Sequence, residues 1–460
     1  MPTIISIPGS PTHGAAHQRA RAVIAAVRQL LTQPGFLVRH RDRPQSFTRQ
    51  PTLTFPVILL LILQKTVKSL QAHLDEFLES MAQGRDWNSL TAGAFTRARA
   101  KVDHRAYVEL NQGALLAQVY HGAHADQVYR WRGWRLLAID SSLVRLPLTR
   151  ALGWAFGLVE TANDKGQTGV RYPQARISVL YDVGNRFGLE ALMVRHKQSE
   201  VALAYQHLAR VEPSDLVLTD RGFSGYTYFT AVRQRGAHFL GRCSQGSFAI
   251  VQQLFDRNEA GVSVTVTLKA PSDQRARLRR KGWPLELAVR FITVRLDTGE
   301  LEVLATSLLD ETAYPTEAFA ELYHLRWGIE TYYGPLKGRL DLENWSGETE
   351  EAVRQDFQAM VFLSNLESVV APVAQRQLTA KTQHCQHPAQ INRAVSLHSL
   401  KTQIIALLIG SQSLDETLNK LVRLFMGNPV KVRKNRRSAR RPISMHRSYH
   451  FQRKVKKTVF

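Results

Sequence analysis

Two short apolar runs, Arg-Leu-Leu-Ala-Ile at 135–139 and Leu-Val-Leu-Thr at 216–219, each stop on an aspartate, Asp140 and Asp220. Between them lie two more strand patterns, 177–181 and 189–194, separated by Gly184-Asn185 as in a hairpin, and then a helix pattern at 201–211. A further helix around 226–234 and a strand at 238–241 come next. Strands alternating with helices restrict this part of the chain to a mixed α/β sheet. In such a sheet the ends of neighbouring strands open into a crevice where side chains collect. An aspartate after a strand commonly only closes a turn, so neither acid carries a function by itself.

A third segment adds to them. A helix pattern spans about 316–340, and on an ideal helix each residue turns ~100°. Tyr323, Arg326, Glu330 and Lys337 then fall within a ~60° arc. Beside them Leu322, Leu325, Ile329, Leu336 and Leu340 form an apolar stripe able to dock on the sheet. A carboxylate flanked by a guanidinium, an ammonium and a phenol suits a metal ligand among phosphate-gripping groups. It equally suits a salt-bridged face with Arg326 and Glu330 as an i, i+4 pair. Gly334-Pro335 removes a backbone hydrogen bond and predicts a kink before Lys337.

Residues 1–128 read as a helical, basic DNA-binding domain. There Ser89 or Thr91 begins a helix whose face Leu90, Ala94, Ala98 and Val102 is apolar. Arg97 and Lys101 share its other face, with Arg99 nearby, in a helix-turn-helix order that fits a DNA groove. The α/β core occupies 129–245 and 311–372, interrupted at 246–310 by a β insertion subdomain with a basic loop, Arg275 to Lys281. A C-terminal helical region covers 373–430, and 431–460 is a basic, disordered tail with twelve Lys or Arg and no acid.

The charge narrows the partners. Lys plus Arg number 61 against 38 Asp plus Glu, a net charge of +23. So basic a chain condenses on polyanions, which places double-stranded DNA or RNA ahead of an anionic membrane surface or a ribosome-like structural role. Two cysteines, Cys243 and Cys385, exclude a disulfide framework and point to a reducing compartment. No secretory signal is visible, and the most apolar run, 55–63, is half the length of a bilayer span. The expectation is a cytoplasmic protein close to the nucleoid, with no membrane partner. Gln383-His384-Cys385-Gln386-His387 lacks a second cysteine pair and reads as a surface loop, not a zinc site. Asp182, Glu200 and Glu343 read as turn, cap or solvated residues.

The spacing Tyr323-x2-Arg326-x3-Glu330-x6-Lys337 resembles the Y-R-E-K signature of bacterial insertion-sequence DDE transposases of the "IS four" group. Ala138-Ile-Asp140-Ser-Ser resembles that family's first aspartate strand, and Leu218-Thr-Asp220-Arg-Gly-Phe223 its second. Ser89 to Lys101 resembles the family's helical region, and the similarity covers most of 35–370. The resemblance implies an RNase H-like core with a β-strand insertion. It implies Asp140, Asp220 and Glu330 as catalytic ligands of two Mg²⁺ ions, with Mn²⁺ able to substitute. It also implies Tyr323, Arg326 and Lys337 as contacts to terminal DNA phosphates. Such enzymes work as a synaptic homodimer on inverted-repeat ends. They nick, pass through hairpins and join the 3′ ends to target DNA. Trp283 is the visible aromatic for holding a flipped base, but its distance from Glu330 matches poorly, and core packing is the reading taken. Two other functions predict different behaviour. An RNase H-like nuclease would cut without joining, and a transposase-derived repressor would bind DNA without chemistry.

Overall fold

The structure, a computed structural model, describes residues 13–432 except 49–52, 66–68, 83–89, 163–167, 297, 339 and 341. The tail from 433 onward and Ser89 therefore lie outside the described residues.

The N-terminal part is helical because its apolar residues recur at helical spacing. Helix α1 (His13–Thr32) buries Ala16, Ala20, Val23, Val27 and Leu31 along one stripe. Helix α2 (Phe55–Gln64) buries eight residues, as expected for a core helix. Helices α3 (Leu70–Ala82) and α4 (Ala92–Arg99) come next. Thr91 caps α4, its side-chain oxygen accepting the Ala94 N–H at 3.1 Å. Leu90, Ala98 and Val102 are buried and Ala94 half-buried, while Arg97 is exposed and Lys101 half-buried.

The sheet begins at β1 (Arg135–Arg145), which runs five residues past Asp140 rather than ending there. It continues through β2 (Leu158–Ala162), β3 (Thr168–Asp182) and β4 (Phe187–Arg195), after which helix α5 (Glu200–His207) leads to the next strand. Strand β1 extends because its residues from Leu137 to Arg145 pair with β3 without interruption. Strand β5 (Asp215–Thr219) is buried at all five residues, the apolar run that a strand covered on both faces requires. It lies parallel to β1 and to β6 (His238–Cys243). The order β4-β3-β1-β5-β6, with β3 antiparallel to its neighbours and β5 and β6 parallel to β1, is the RNase H-like arrangement.

Residues 246–310, expected as a β insertion with a basic loop, extend the main sheet and carry a basic helix. Strands β7 (Ser263–Lys269), β8 (Glu286–Arg295) and β9 (Leu301–Thr306) do not form a sheet of their own. Strand β9 pairs antiparallel with β6, and the order continues β6-β9-β8-β7. An apolar strand such as β6 would otherwise present a bare edge. The basic segment is also helical at Arg275–Arg280 rather than a loop. Its Leu278 packs with Tyr226 and Ala270, with Trp283 half-buried against them, while its four arginines are exposed. The packing position of Trp283 agrees with the core reading.

The expected helix over 316–340 is two helices, α6 (Ala318–His324) and α7 (Gly328–Gly338), joined by a 3₁₀ turn at Leu325–Trp327. A 3₁₀ step turns about 120° where an α step turns about 100°, so three such steps rotate α7 by roughly 60°. The four residues thus do not share the arc of one straight helix. The break lies at 325–327 and not at Pro335, through which α7 continues.

Helix α8 (Glu350–Thr382) is capped by Thr349 and buried along most of its 33 residues. Its length and hydropathy match a membrane span, yet 83% of its apolar window is buried inside the fold, which makes it a core helix. It also holds the N-terminal part in place. Arg99 of α4 is buried and donates to Gln355 Oε1 at 2.8 Å, Ser346 Oγ at 2.6 Å, the Ala352 carbonyl at 2.9 Å and Asp356 Oδ1 at 2.8 Å. The Gln383–His387 stretch ends in a turn and bend and is mostly exposed.

Candidate active site

Asp140 and Asp220 reach the same level of the sheet. Ala138 is paired with Leu218 in the parallel β1–β5 register, and each aspartate lies two residues further on. Register-matched residues of adjacent parallel strands face the same side, with backbones about 5 Å apart. There the strands diverge. Strand β1 goes on, whereas Asp220 opens a 3₁₀ turn at Arg221–Phe223.

The helices bearing Glu330 are tied across both strands by two tyrosines. Tyr323 Oη donates to the Thr219 carbonyl at 3.2 Å, and Tyr333 Oη donates to the Asp140 carbonyl at 2.8 Å. Further along β1, Lys337 Nζ donates to the Leu143 carbonyl at 2.8 Å. Burial pushes both phenols upward in pKa, so they remain neutral donors. Burial likewise lowers the Lys337 ammonium, against the pull of Glu343 and Asp140. Tyr323 is buried, and its hydroxyl anchors the strand end that leads into Asp220.

Arg326 stands among the acids. Its Nη2 donates to Glu330 Oε1 at 3.0 Å, the i, i+4 pair that the sequence left open, and its Nε is buried without a hydrogen-bond partner. Its charge is felt by Asp140, Asp220 and Glu302. The Asp140 carboxyl is pushed up to about 6, chiefly by burial, with Glu330 and Glu200 adding and the Ser141 amide and Arg326 opposing. Asp220 Oδ1 is buried and accepts no hydrogen bond.

The three carboxylates are brought to one region but not into a closed cage. Among the described residues, one group of His, Cys, Asp or Glu has all its ligand atoms within 4.8 Å of one another, and it is Asp103, His104 and Glu351. That group lies elsewhere, where Glu351 accepts the His104 ring nitrogen at 3.0 Å and Asp103 is paired with Arg105. The donor set at Asp140, Asp220 and Glu330 nonetheless fits a hard divalent cation. It consists of carboxylate oxygens, and the orphaned Asp220 Oδ1 is a lone pair that a cation would satisfy.

Two further acids stand beside the triad, and no spacing in the sequence marks them. Glu200, which reads from sequence as a turn, cap or solvated residue, accepts the Ser141 hydroxyl at 2.7 Å and is ion-paired with Arg176. Glu302 on β9 is buried, with Arg242 Nε at 2.8 Å, and lies in the field of Asp220. Arg97 and Lys101 belong to the N-terminal helices and do not join this cluster. Because the Asp140 carboxyl must ionise to hold a cation, Mn²⁺ affinity of the free chain is expected to fall about tenfold per pH unit below about 6. Titrating Mn²⁺ at a series of pH values checks this; a flat profile through that range removes Asp140 from the ligand set.

Acids approaching from two parallel strands and a crossing helix are an arrangement that could serve metal-assisted phosphodiester chemistry. The family model described as "Transposase DDE domain" matches residues 131–366, more than half of the chain, and the chain belongs to that family. It is 26% identical over 255 residues to Transposase InsG for insertion sequence element IS4 of Escherichia coli (strain K12), covering 54% of each chain. It is 30% identical over 154 residues to Putative transposase y4zB of Sinorhizobium fredii (strain NBRC 101917 / NGR234), covering 33% of this chain and 41% of that one. The matches thus span about half the length of these relatives or less. Among solved structures, the piggyBac transposase synaptic complex with hairpin DNA aligns at a TM-score of 0.42 and 9% identity, over 87% of this chain and 85% of that one.

Proposed function

We propose that this chain cuts DNA at the inverted-repeat ends of an insertion sequence and joins the 3′ ends to target DNA, through hairpin intermediates. Asp140, Asp220 and Glu330 would hold two divalent cations, Mg²⁺ or Mn²⁺, which supply an activated hydroxyl or water and charge relief at the leaving oxygen. The observation that carries the reading is the matched level of Asp140 and Asp220 on adjacent parallel strands, with the Glu330 helix tied across both by tyrosines.

The chain's own residues then have distinct tasks. Tyr323 fixes the end of β5, and Tyr333 fixes β1 at Asp140, relative to the helices. Arg326 turns from Glu330 to a DNA phosphate, which its planar donors suit, and so releases the Glu330 carboxylate for the cation. Lys337, beside β1, adds a point charge toward the same phosphate. Arg97 and Lys101 would contact the DNA outside the cutting site. The enzyme would work as a homodimer on paired ends, in the cytoplasm at the bacterial nucleoid.

The test is a joining assay. Duplex ends already carrying free 3′-hydroxyls, supercoiled target DNA and Mg²⁺ are expected to give end-joined product. Cutting without joining would make the protein a plain nuclease. Binding without either would leave a DNA-binding protein.

A further inference from the structure

We propose that Glu200 is a positioning residue of the candidate metal site, fixing the Asp140 carboxylate through Ser141 and adding its charge to the field that draws in a cation. This rests on the reading of Asp140 as a metal ligand.

Glu200 opens helix α5, where an acid is favoured by the helix dipole alone. That bland role does not account for where its carboxylate goes. Oε1 accepts the hydroxyl of Ser141 at 2.7 Å, on the strand residue after Asp140. The backbone N–H of the same Ser141 donates to Asp140 Oδ1 at 2.8 Å. Arg176 of β3 closes the arrangement, donating from Nη1 both to Ser141 Oγ at 2.8 Å and to Glu200. One serine thus has its side chain held by Glu200 and Arg176 while its amide orients the carboxylate next door.

Glu200 leaves about half of its side chain open to solvent and acts electrostatically on Asp140 and on Tyr333, the residue that ties the Glu330 helix to β1. Arg176 offsets its charge in part but not its position. Partners that orient metal ligands in this way carry about 10–100-fold in metal affinity.

The measurement is Mn²⁺ binding to the full chain with a duplex DNA end, read as loss of the free-ion resonance signal. Glu200→Gln keeps an acceptor for Ser141 but removes the charge. It is expected to raise the Mn²⁺ Kd about tenfold with unchanged DNA affinity and melting midpoint. Ser141→Ala breaks the link with both charges in place and is expected to act in the same direction, and the double variant to be no worse than the weaker single one. Should Glu200→Gln lower the melting midpoint, Ser141→Ala carries the test. Asp140→Asn is the control and is expected to lose Mn²⁺ binding outright. Unchanged affinity in Glu200→Gln and Ser141→Ala beside a lost site in Asp140→Asn overturns the role of Glu200 alone. Unchanged affinity in Asp140→Asn overturns the ligand reading and, with it, this proposal.

Discussion

Asp140→Asn, Asp220→Asn and Glu330→Gln are each expected to lower end cutting and end joining by on the order of a thousandfold or more, while binding of a DNA end persists. Each change keeps the side-chain shape and removes one anionic oxygen donor. The three losses should be alike if the proposed cation pair is shared, because each acid would then supply one of its ligands. The check is strand transfer from precleaved ends measured beside a gel-shift of the same DNA. Strand transfer at the parent rate by any one variant would remove that residue from the chemistry. A lesser loss for Glu330 than for the aspartates would have a structural reason, since its side chain is 42% exposed and is shared with Arg326 before DNA arrives.

The second large effect concerns folding. Asp356 has no side-chain exposure, and it binds Arg99 Nη2 at 2.8 Å, the Ser346 amide at 2.6 Å and Lys65 Nζ at 3.7 Å. Asp356→Ala leaves the Arg99 guanidinium buried beside no charge, which costs about 3–5 kcal/mol. Urea unfolding should show the loss as a lower midpoint, with the earliest release in the N-terminal helices. Burial alone would raise the Asp356 carboxyl, but Arg99, Lys65 and the Ser346 bonds outweigh it and hold the group below the ordinary range. Its stabilisation is therefore complete above the unfolded value of about 4 and is lost as pH falls through the lower folded value. The variant's own unfolding should lack that acid step; an identical acid profile in parent and variant would refute it.

What the sequence made legible is local. An apolar strand followed by an acid is a pattern of a few residues, so Asp140 and Asp220 could be picked out with their neighbourhood. Glu330 was legible through a helical face and a family signature. Features that tertiary structure decides were not legible. Glu200 lies 59 residues from Ser141, and only the packing of α5 beside β1 brings them together. Arg97 and Arg99 look interchangeable in composition, yet one is solvated and the other buried, because a partner 257 residues away meets the second. The tightening at Leu325–Trp327 leaves no composition signal, whereas Pro335 gives a strong one and breaks nothing. The strands of 246–310 were visible as strands, but the edge they would join was not.

That shared edge has a mechanical outcome. Four hydrogen-bonded steps lead from β5, where Asp220 leaves the sheet, to β7, which precedes the helix of exposed arginines at Arg275–Arg280. The same helix is also held to the segment just after Asp220, for its Leu278 packs on Tyr226 and the neighbouring Gln274 accepts the Thr227 hydroxyl. Strand order and packing thus tie the arginine helix to the end of β5. A load placed on the exposed arginines would therefore be passed to the end of β5 by two routes, through the ladder and through this packing.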